Sequence, residues 1–310
     1  MLYDTIIIGA GPAGCAAAIY ATRKKIKTML ITESFGGQSS ASSVVENWLG
    51  EKSISGFEFA RKIEEHVRSQ KDLEILVNKK VSLIEKACNN FIIKLESGEE
   101  FESKTVIVTA GGNHRKLNIP GEKEFNGKGV AYCSTCDAPM FKNKKVAVIG
   151  TGNAGLEAVI DLLNYASKIY MIDISSEIQG DKILEQKIFQ SGKVEFFSEV
   201  KILEIYGDKF VQGIKYINKN PLTSSGQAQS NLEVQGVFVE IGSVPNIDFL
   251  NNLVGKDKFN YIKTNKNQIT NQPGIFAAGD ITDRIYKQNN IAAGDGAVAA
   301  LSAFDYLKKL

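Results

Sequence analysis

Asp4-Thr-Ile-Ile-Ile-Gly9-Ala-Gly11-Pro-Ala-Gly14 is the stretch that decides the fold. Three consecutive isoleucines suit a buried strand. The glycines at 9, 11 and 14 then open a helical, Ala-rich run over residues 15–23. A second apolar run, residues 27–32, ends at Glu33, 24 residues after Gly9. Strand, glycine loop, helix, strand and acid form the dinucleotide-binding unit of a doubly wound sheet. Glycine lets backbone N–H groups approach a pyrophosphate, and the helix N-terminus favours its charge. The cofactor-binding candidates are Gly9, Gly11, Pro12, Ala13, Gly14 and Glu33, whose carboxylate can accept from a ribose hydroxyl.

The same string recurs. Residues 145–149 read as a strand, followed by Gly150-Thr-Gly152-Asn153-Ala154-Gly155 and a helix over 156–163. The strand over 168–172 closes on Asp173, 23 residues after Gly150. A repeated unit in full context is far stronger than one match. Gly150, Gly152, Asn153, Ala154, Gly155 and Asp173 form the second set of nucleotide-binding candidates. Asp173 would repel a 2′-phosphate, and no Lys or Arg follows until Lys182, so NADH is expected over NADPH.

Between the two loops lies Tyr132-Cys133-Ser-Thr-Cys136-Asp137. Cysteines at this spacing can meet across one turn, and a thiolate at a helix N-terminus is activated. Asp137 can give and take the departing proton. A metal site needs further ligands. The chain has only two histidines, His66 and His114, neither at ligand spacing, so no metal is expected. Cys15 reads as a small buried hydrophobe, and Cys88 as part of a strand connection.

Residues 81–95 and 98–109 alternate like antiparallel strands around Glu96-Ser97-Gly98, and 200–216 and 232–241 read as further strands. The final helix is expected over 291–307, placing Asp295 near its N-terminus. Crossing linkers are expected near 117–121 and 242–246. The expected architecture is therefore α/β, with two Rossmann-like, three-layer dinucleotide-binding domains, the second inserted into the first. Residues 1–116 plus 246–310 would form one, and 117–245 the other.

Composition excludes several classes. Hydrophobic residues make up 43% of 310, an ordinary globular share, and net charge is +2, too small for a nucleic-acid footprint. No apolar stretch reaches membrane-spanning length. The apolar N-terminal run has no preceding positive charge and carries the glycine loop, so a cytoplasmic protein is expected rather than an exported one.

Taken together, these residues resemble the low-molecular-weight thioredoxin reductases over the whole chain. The likeness is greatest to the catalytic body of the alkyl hydroperoxide reductase flavoprotein component. Besides the two loops and the Cys-x-x-Cys, the matching stretches are Gly36-Gly37-Gln38, Val45-Glu-Asn47-Trp-Leu-Gly50, Gly274-Ile-Phe-Ala-Ala-Gly279-Asp280 and Tyr286-Lys287-Gln288. The resemblance implies FAD in the first domain, held also by Gly36, Gly37, Gln38, Asn47, Gly279, Asp280, Lys287 and Gln288. It implies Cys136 facing the flavin, Cys133 attacking a partner and Asp137 as acid/base. It also implies a homodimer.

The segment after Asp173 lacks the His-Arg-Arg of NADPH-dependent members, in agreement with the reading of Asp173. Ala138 replaces a usual Gly, and Asp295 stands where the peroxide-reductase relatives have Glu. The nucleotide fingerprint starts at residue 4, so the electron acceptor is expected to be a separate protein. Thioredoxin, a glutaredoxin-like protein or a peroxiredoxin-linked carrier would serve. The expected function is an FAD-dependent, NAD(P)H-driven protein-disulfide reductase. Its rivals are a ferredoxin- or flavodoxin-linked reductase, which would not need the two cysteines, and a non-catalytic flavin-binding redox sensor.

Overall fold

β-Branched residues at the centre of each glycine-loop unit set the two sheets. The computed structural model describes residues 1–42, 44–218 and 229–310. The chain divides into two compact units, Met1–Asn113 with Val244–Leu310, and His114–Ser243. It crosses between them at 113/114 and 243/244, against the expected 116/117 and 245/246. Backbone bonding explains the shift. Asn246 N donates to Gly111 O within the first unit, and Arg115 N donates to Gly242 O within the second.

In the first unit the strand Leu2–Ala10 lies between the parallel strands Thr28–Phe35 and Glu100–Val108, with Ile7 opposite Leu30 and Ile107. Leu73–Val77 extends one edge. Asn90–Leu95 and Val81–Ala87 add antiparallel strands at the other, and Ile275–Ala277 also pairs with Glu100–Val108. Side chains alternate across the sheet. Ile6 and Ile8 therefore enter one core with Ile93 and Ile262, and Ile7 enters another beneath the helices Pro12–Arg23 and Asn289–Leu307. Those helices meet through Ala17, Ala18 and Ala21 on one and Ala299, Ala300 and Ala303 on the other, all buried. Small side chains let the backbones approach closely.

Residues 81–95 form a hairpin of two strands, Val81–Ala87 and Asn90–Leu95, with Cys88 at the connection between them as its sequence reading expects. Cys88, at φ +50°, makes the turn that no Gly, Pro or Asn-Gly pair announces at that residue. Cys88 is exposed, and Cys15 is buried with its Sγ donating to Ala10 O at 3.3 Å.

The second unit repeats the plan with a parallel sheet ordered Val194–Phe197, Lys168–Ile172, Lys145–Ile149, Gly236–Val239, Val130–Ala131. An antiparallel sheet of Val200–Gly207, Val211–Asn218 and Ser230–Glu233 accompanies it. The runs 200–216 and 232–241 are thus two strands each. Leu156, Val159 and Leu162 fix the helix Asn153–Leu163 on the sheet, all fully buried. Truncating either leucine to Ala would cost about 2–5 kcal/mol. No helix among the described residues is long and apolar enough to cross a membrane.

Candidate active site

Each glycine loop uses its three glycines in two different ways. Gly9 and Gly150 sit at φ +100° and +111°, where an L side chain is strained. A Cβ on them would lie 2.5 Å from Thr109 O and 2.4 Å from Glu240 O. The third glycines, Gly14 and Gly155, close each turn, with a Cβ 1.8 Å from Gly9 O and 2.0 Å from Gly150 O. Folding alone explains those four. The middle glycines differ. Gly11 and Gly152 have extended backbones at φ −71° and −69° that any residue adopts. A Cβ on Gly11 would meet nothing nearer than Gly37 Cα at 3.9 Å, and one on Gly152 nothing within 4 Å. Open space over the first turn of a helix is what a bound pyrophosphate would use, so both loops fit a dinucleotide. Pro12 begins the first helix, where its missing N–H costs nothing, and Ala13 packs beneath Gly279 and Gly296.

Around the first loop the fold gathers residues distant in sequence. Gln38 Nε2 donates to Gly112 O at 2.7 Å, and Gly36 and Gly37 lead into its short helical turn. Asn47 Nδ2 donates to Gln288 Oε1 at 3.0 Å. Asn290 Nδ2 donates to Asn47 O, and Ser39 Oγ to Asn289 Oδ1, both at 2.7 Å. No local pattern in the sequence marks Ser39, Asn289 or Asn290. Glu33 is exposed near the end of its strand, in a cleft beside Lys79 and Lys80. Asp280 follows Gly279 at the end of Ile275–Ala277, and burial raises its carboxyl above the usual range against the pull of Lys287. Lys287 Nζ donates to the carbonyls of Asp280 and Thr282 and lies 4.0 Å from the Tyr261 ring centre. Burial lowers its pKa.

The last helix begins at Asn289 rather than 291, because Ala292 N already bonds to Gln288 O. Asp295 therefore lies past the first turn. Its Oδ1 accepts from Arg284 at 2.5 Å and from Gln268 at 3.0 Å.

In the second unit Asp173 is not a free acceptor. Its Oδ2 accepts from Thr151 N and Oγ1 at 2.9 and 2.8 Å, and its Oδ1 from Ser175 N and Oγ at 2.9 and 2.7 Å. Burial opposes ionisation, but these bonds hold the carboxyl below its usual range. Asn153 Oδ1 accepts from Asp181 N at 2.9 Å, and Ala154 is exposed on the same turn. Lys182, the first cation after Asp173, pairs with Glu185 at 2.8 Å.

Cys133 and Cys136 are joined as a disulfide, Cα atoms 5.3 Å apart, across the single turn Ser134–Asp137. Cys136 N donates to Cys133 Sγ at 3.3 Å. Ser134 and Thr135, between the sulfurs, donate their hydroxyls to Asp161 Oδ2 at 2.8 and 3.2 Å. Burial pushes the Asp137 carboxyl up to about 6. Glu240, at the end of Gly236–Val239, is pushed up to about 8 by burial and then by Asp161, Glu157 and Asp137. Neither Asp161 nor Glu240 belongs to a motif, so nothing in the sequence singles them out. Tyr132, one residue before Cys133, donates to Glu122 Oε1 at 2.9 Å and stacks near His114.

Comparison with known proteins gives the family and the fold. Residues 3–296 match the family model for pyridine nucleotide-disulphide oxidoreductases. A Bacillus subtilis protein named NADH dehydrogenase is 41% identical over 305 residues, 98% of this chain and 58% of its own length. The F component of alkyl hydroperoxide reductase from Staphylococcus epidermidis is 40% identical over 98% of this chain and 59% of its own. The chain thus spans a little under three-fifths of these relatives. The crystal structure of thioredoxin reductase from Streptococcus pyogenes superposes with a TM-score of 0.92 at 32% identity, covering 100% of this chain and 99% of that one. The paired Rossmann-type domains and the resemblance to thioredoxin reductases are borne out, and the protein is an oxidoreductase. By its match from residue 3 to residue 296, the chain belongs to the pyridine nucleotide-disulphide oxidoreductase family.

Proposed function

We propose that the protein is a protein-disulfide reductase, taking electrons from NADH in preference to NADPH and delivering them through Cys133 and Cys136 to a separate thioredoxin-fold protein. The observation that carries this is the disulfide beside a second, complete nucleotide loop in one unit. Bound FAD would supply the two-electron relay between the nicotinamide and the disulfide. The residues that would hold it are Gly9, Gly11, Gly14, Glu33, Gly36, Gly37, Gln38, Asn47, Asp280, Lys287 and Gln288. The open face of Gly11 supports the fit. Asp173, with Lys182 already paired, disfavours a 2′-phosphate at the second loop.

In the reduced pair, Cys133 attacks the partner's disulfide, forming a mixed disulfide and releasing one partner thiol. Cys136 then attacks Cys133 and frees the second. Asp137, with a pKa near 6, can hold or release the proton exchanged with the sulfurs. A homodimer in the cytoplasm completes the proposal, and sedimentation tests the dimer.

The decisive experiment is steady-state turnover with NADH and NADPH against thioredoxin, a glutaredoxin-like protein and a peroxiredoxin-linked carrier, run beside Cys133→Ser and Cys136→Ser. Both variants should lose acceptor reduction while keeping one FAD per chain and flavin reduction by NADH. Acceptor turnover that survives in either variant sinks the proposal. Flavin reduction by reduced ferredoxin but by neither coenzyme would shift the donor to the ferredoxin-linked rival.

A further inference from the structure

The two residues between the cysteines are tied to one carboxylate oxygen. Ser134 Oγ and Thr135 Oγ1 both donate to Asp161 Oδ2, at 2.8 and 3.2 Å. Asp161 is half-buried on the helix Asn153–Leu163, which Leu156 and Leu162 lock on the sheet and which starts at the second glycine loop. A fixed post on the nucleotide-binding helix therefore holds the turn that carries both sulfurs. The turn's own bonds, Cys136 N to Cys133 Sγ and Asp137 N to Cys133 O, span only the turn itself. Three other acids share the neighbourhood: Glu157 on the same helix, Glu240 and Asp137. Burial, and then Asp161, Glu157 and Asp137, raise the Glu240 carboxyl and so disfavour its charged form.

We propose that Asp161 is a positioning residue for the redox pair. It fixes the Cys-Ser-Thr-Cys turn through both intervening hydroxyls, and its charge makes the dithiol a stronger reductant. The inference rests on reading Cys133–Cys136 as the redox pair. Reducing the disulfide breaks one S–S bond and takes up two electrons, with one proton where one sulfur stays as thiolate and two where both end as thiols. A nearby anion disfavours the thiolate form of the product. The reduced state is then less stabilised, the balance moves towards disulfide, and the dithiol gives up its electrons more readily.

The test uses the FAD-loaded protein under anaerobic conditions, equilibrated against reduced and oxidised dithiothreitol, which supplies and takes back the electrons and protons. Thiols are trapped by alkylation and counted on the Cys133–Cys136 peptide. Asp161→Asn keeps an oxygen for both hydroxyls and removes the charge. It should shift the equilibrium towards dithiol by about threefold to tenfold, the upper figure corresponding to about 30 mV for a two-electron couple. The double variant Ser134→Ala/Thr135→Ala keeps the charge and removes the ties. Its equilibrium should stay within about twofold of wild type, while acceptor turnover relative to flavin reduction falls about tenfold or more, as expected when reacting groups lose their placement.

A wild-type equilibrium in Asp161→Asn overturns the inference, and so does wild-type turnover in the double variant. Should Asp161→Asn fail to retain FAD, the double variant still decides. Cys133→Ser, run in the same turnover assay, separates this outcome from the parent proposal: retained acceptor reduction there removes the redox pair itself.

Discussion

The two glycine loops carry one fingerprint, but their closing acids are used differently. Glu33 is exposed beside two lysines, while Asp173 is held by four hydrogen bonds from Thr151 and Ser175. Thr151 lies inside the second loop, so Asp173 shapes the loop it follows. The first loop takes its tie elsewhere, Ala10 N donating to Thr32 Oγ1 at 3.2 Å. Equivalent positions in a repeated motif therefore need not share a role. One acid stands exposed at the end of its strand, and the other is first a structural clamp.

The sharpest way to break the comparison is at the middle glycines. Ala at 11 or 152 fits the backbone and the protein's own packing, so both variants should melt within about 0.5 kcal/mol of wild type when compared without cofactor, as for ordinary surface changes. Gly11→Ala should nevertheless emerge from purification without FAD and without activity. Gly152→Ala should keep FAD and lose only saturation by NADH. Swapped outcomes would reverse the assignment of the two units.

Asp137→Asn comes next. Acceptor turnover should fall by roughly 10²–10⁴-fold, the range for a positioned acid/base, with FAD content unchanged. The wild-type rate profile should show an inflection near pH 6 that the variant lacks. An inflection persisting in the variant would assign the titration to another group.

Asp173→Ala should narrow the NADH-over-NADPH ratio in kcat/KM by about tenfold, the loss of one charge interaction. It should also destabilise the second unit by about 1–3 kcal/mol, because the buried Thr151 and the partly buried Ser175 lose their acceptor. The carboxyl is depressed in the folded state, so the stability it contributes is present above the ordinary aspartate range. It is lost as pH falls from about 4 through the lower folded value. Acid unfolding followed by circular dichroism should therefore converge for wild type and variant at low pH. Glu33→Ala, the smallest effect, should leave stability within about 0.5 kcal/mol while weakening FAD retention.

Both loops and the cysteine pair are legible in the sequence because each imposes a local rule: a positive φ, a close approach, a fixed spacing between sulfurs. At Cys88 the sequence marks a strand connection but not the turn's geometry, since its left-handed residue is of a type that seldom announces one. Asp161 reads in sequence as one more polar position on an amphipathic helix, and its meaning appears only when Ser134 and Thr135 reach it across 27 and 26 residues. The Asn47–Gln288 pair spans 241 residues and leaves no periodic trace. What the sequence hides here is chiefly which polar groups satisfy one another at long range. The last helix starts earlier than its apolar pattern for a related reason. Its entry is set by Asn289 and Asn290 bonding to Ser39 and Asn47, not by an N-cap of its own.

Cys15 has a use beyond packing. Its thiol is buried under the first loop, bonded to Ala10 O and pushed by burial up to about 12. An alkylating reagent can reach it only when that core opens, so its labelling rate measures how often the first unit opens, not how reactive the sulfur is. The exposed Cys88 labels at once and calibrates the reagent in the same tube. The protein thus carries a stopwatch for its own opening, and any ligand that seats on the first loop should slow it in proportion to its occupancy.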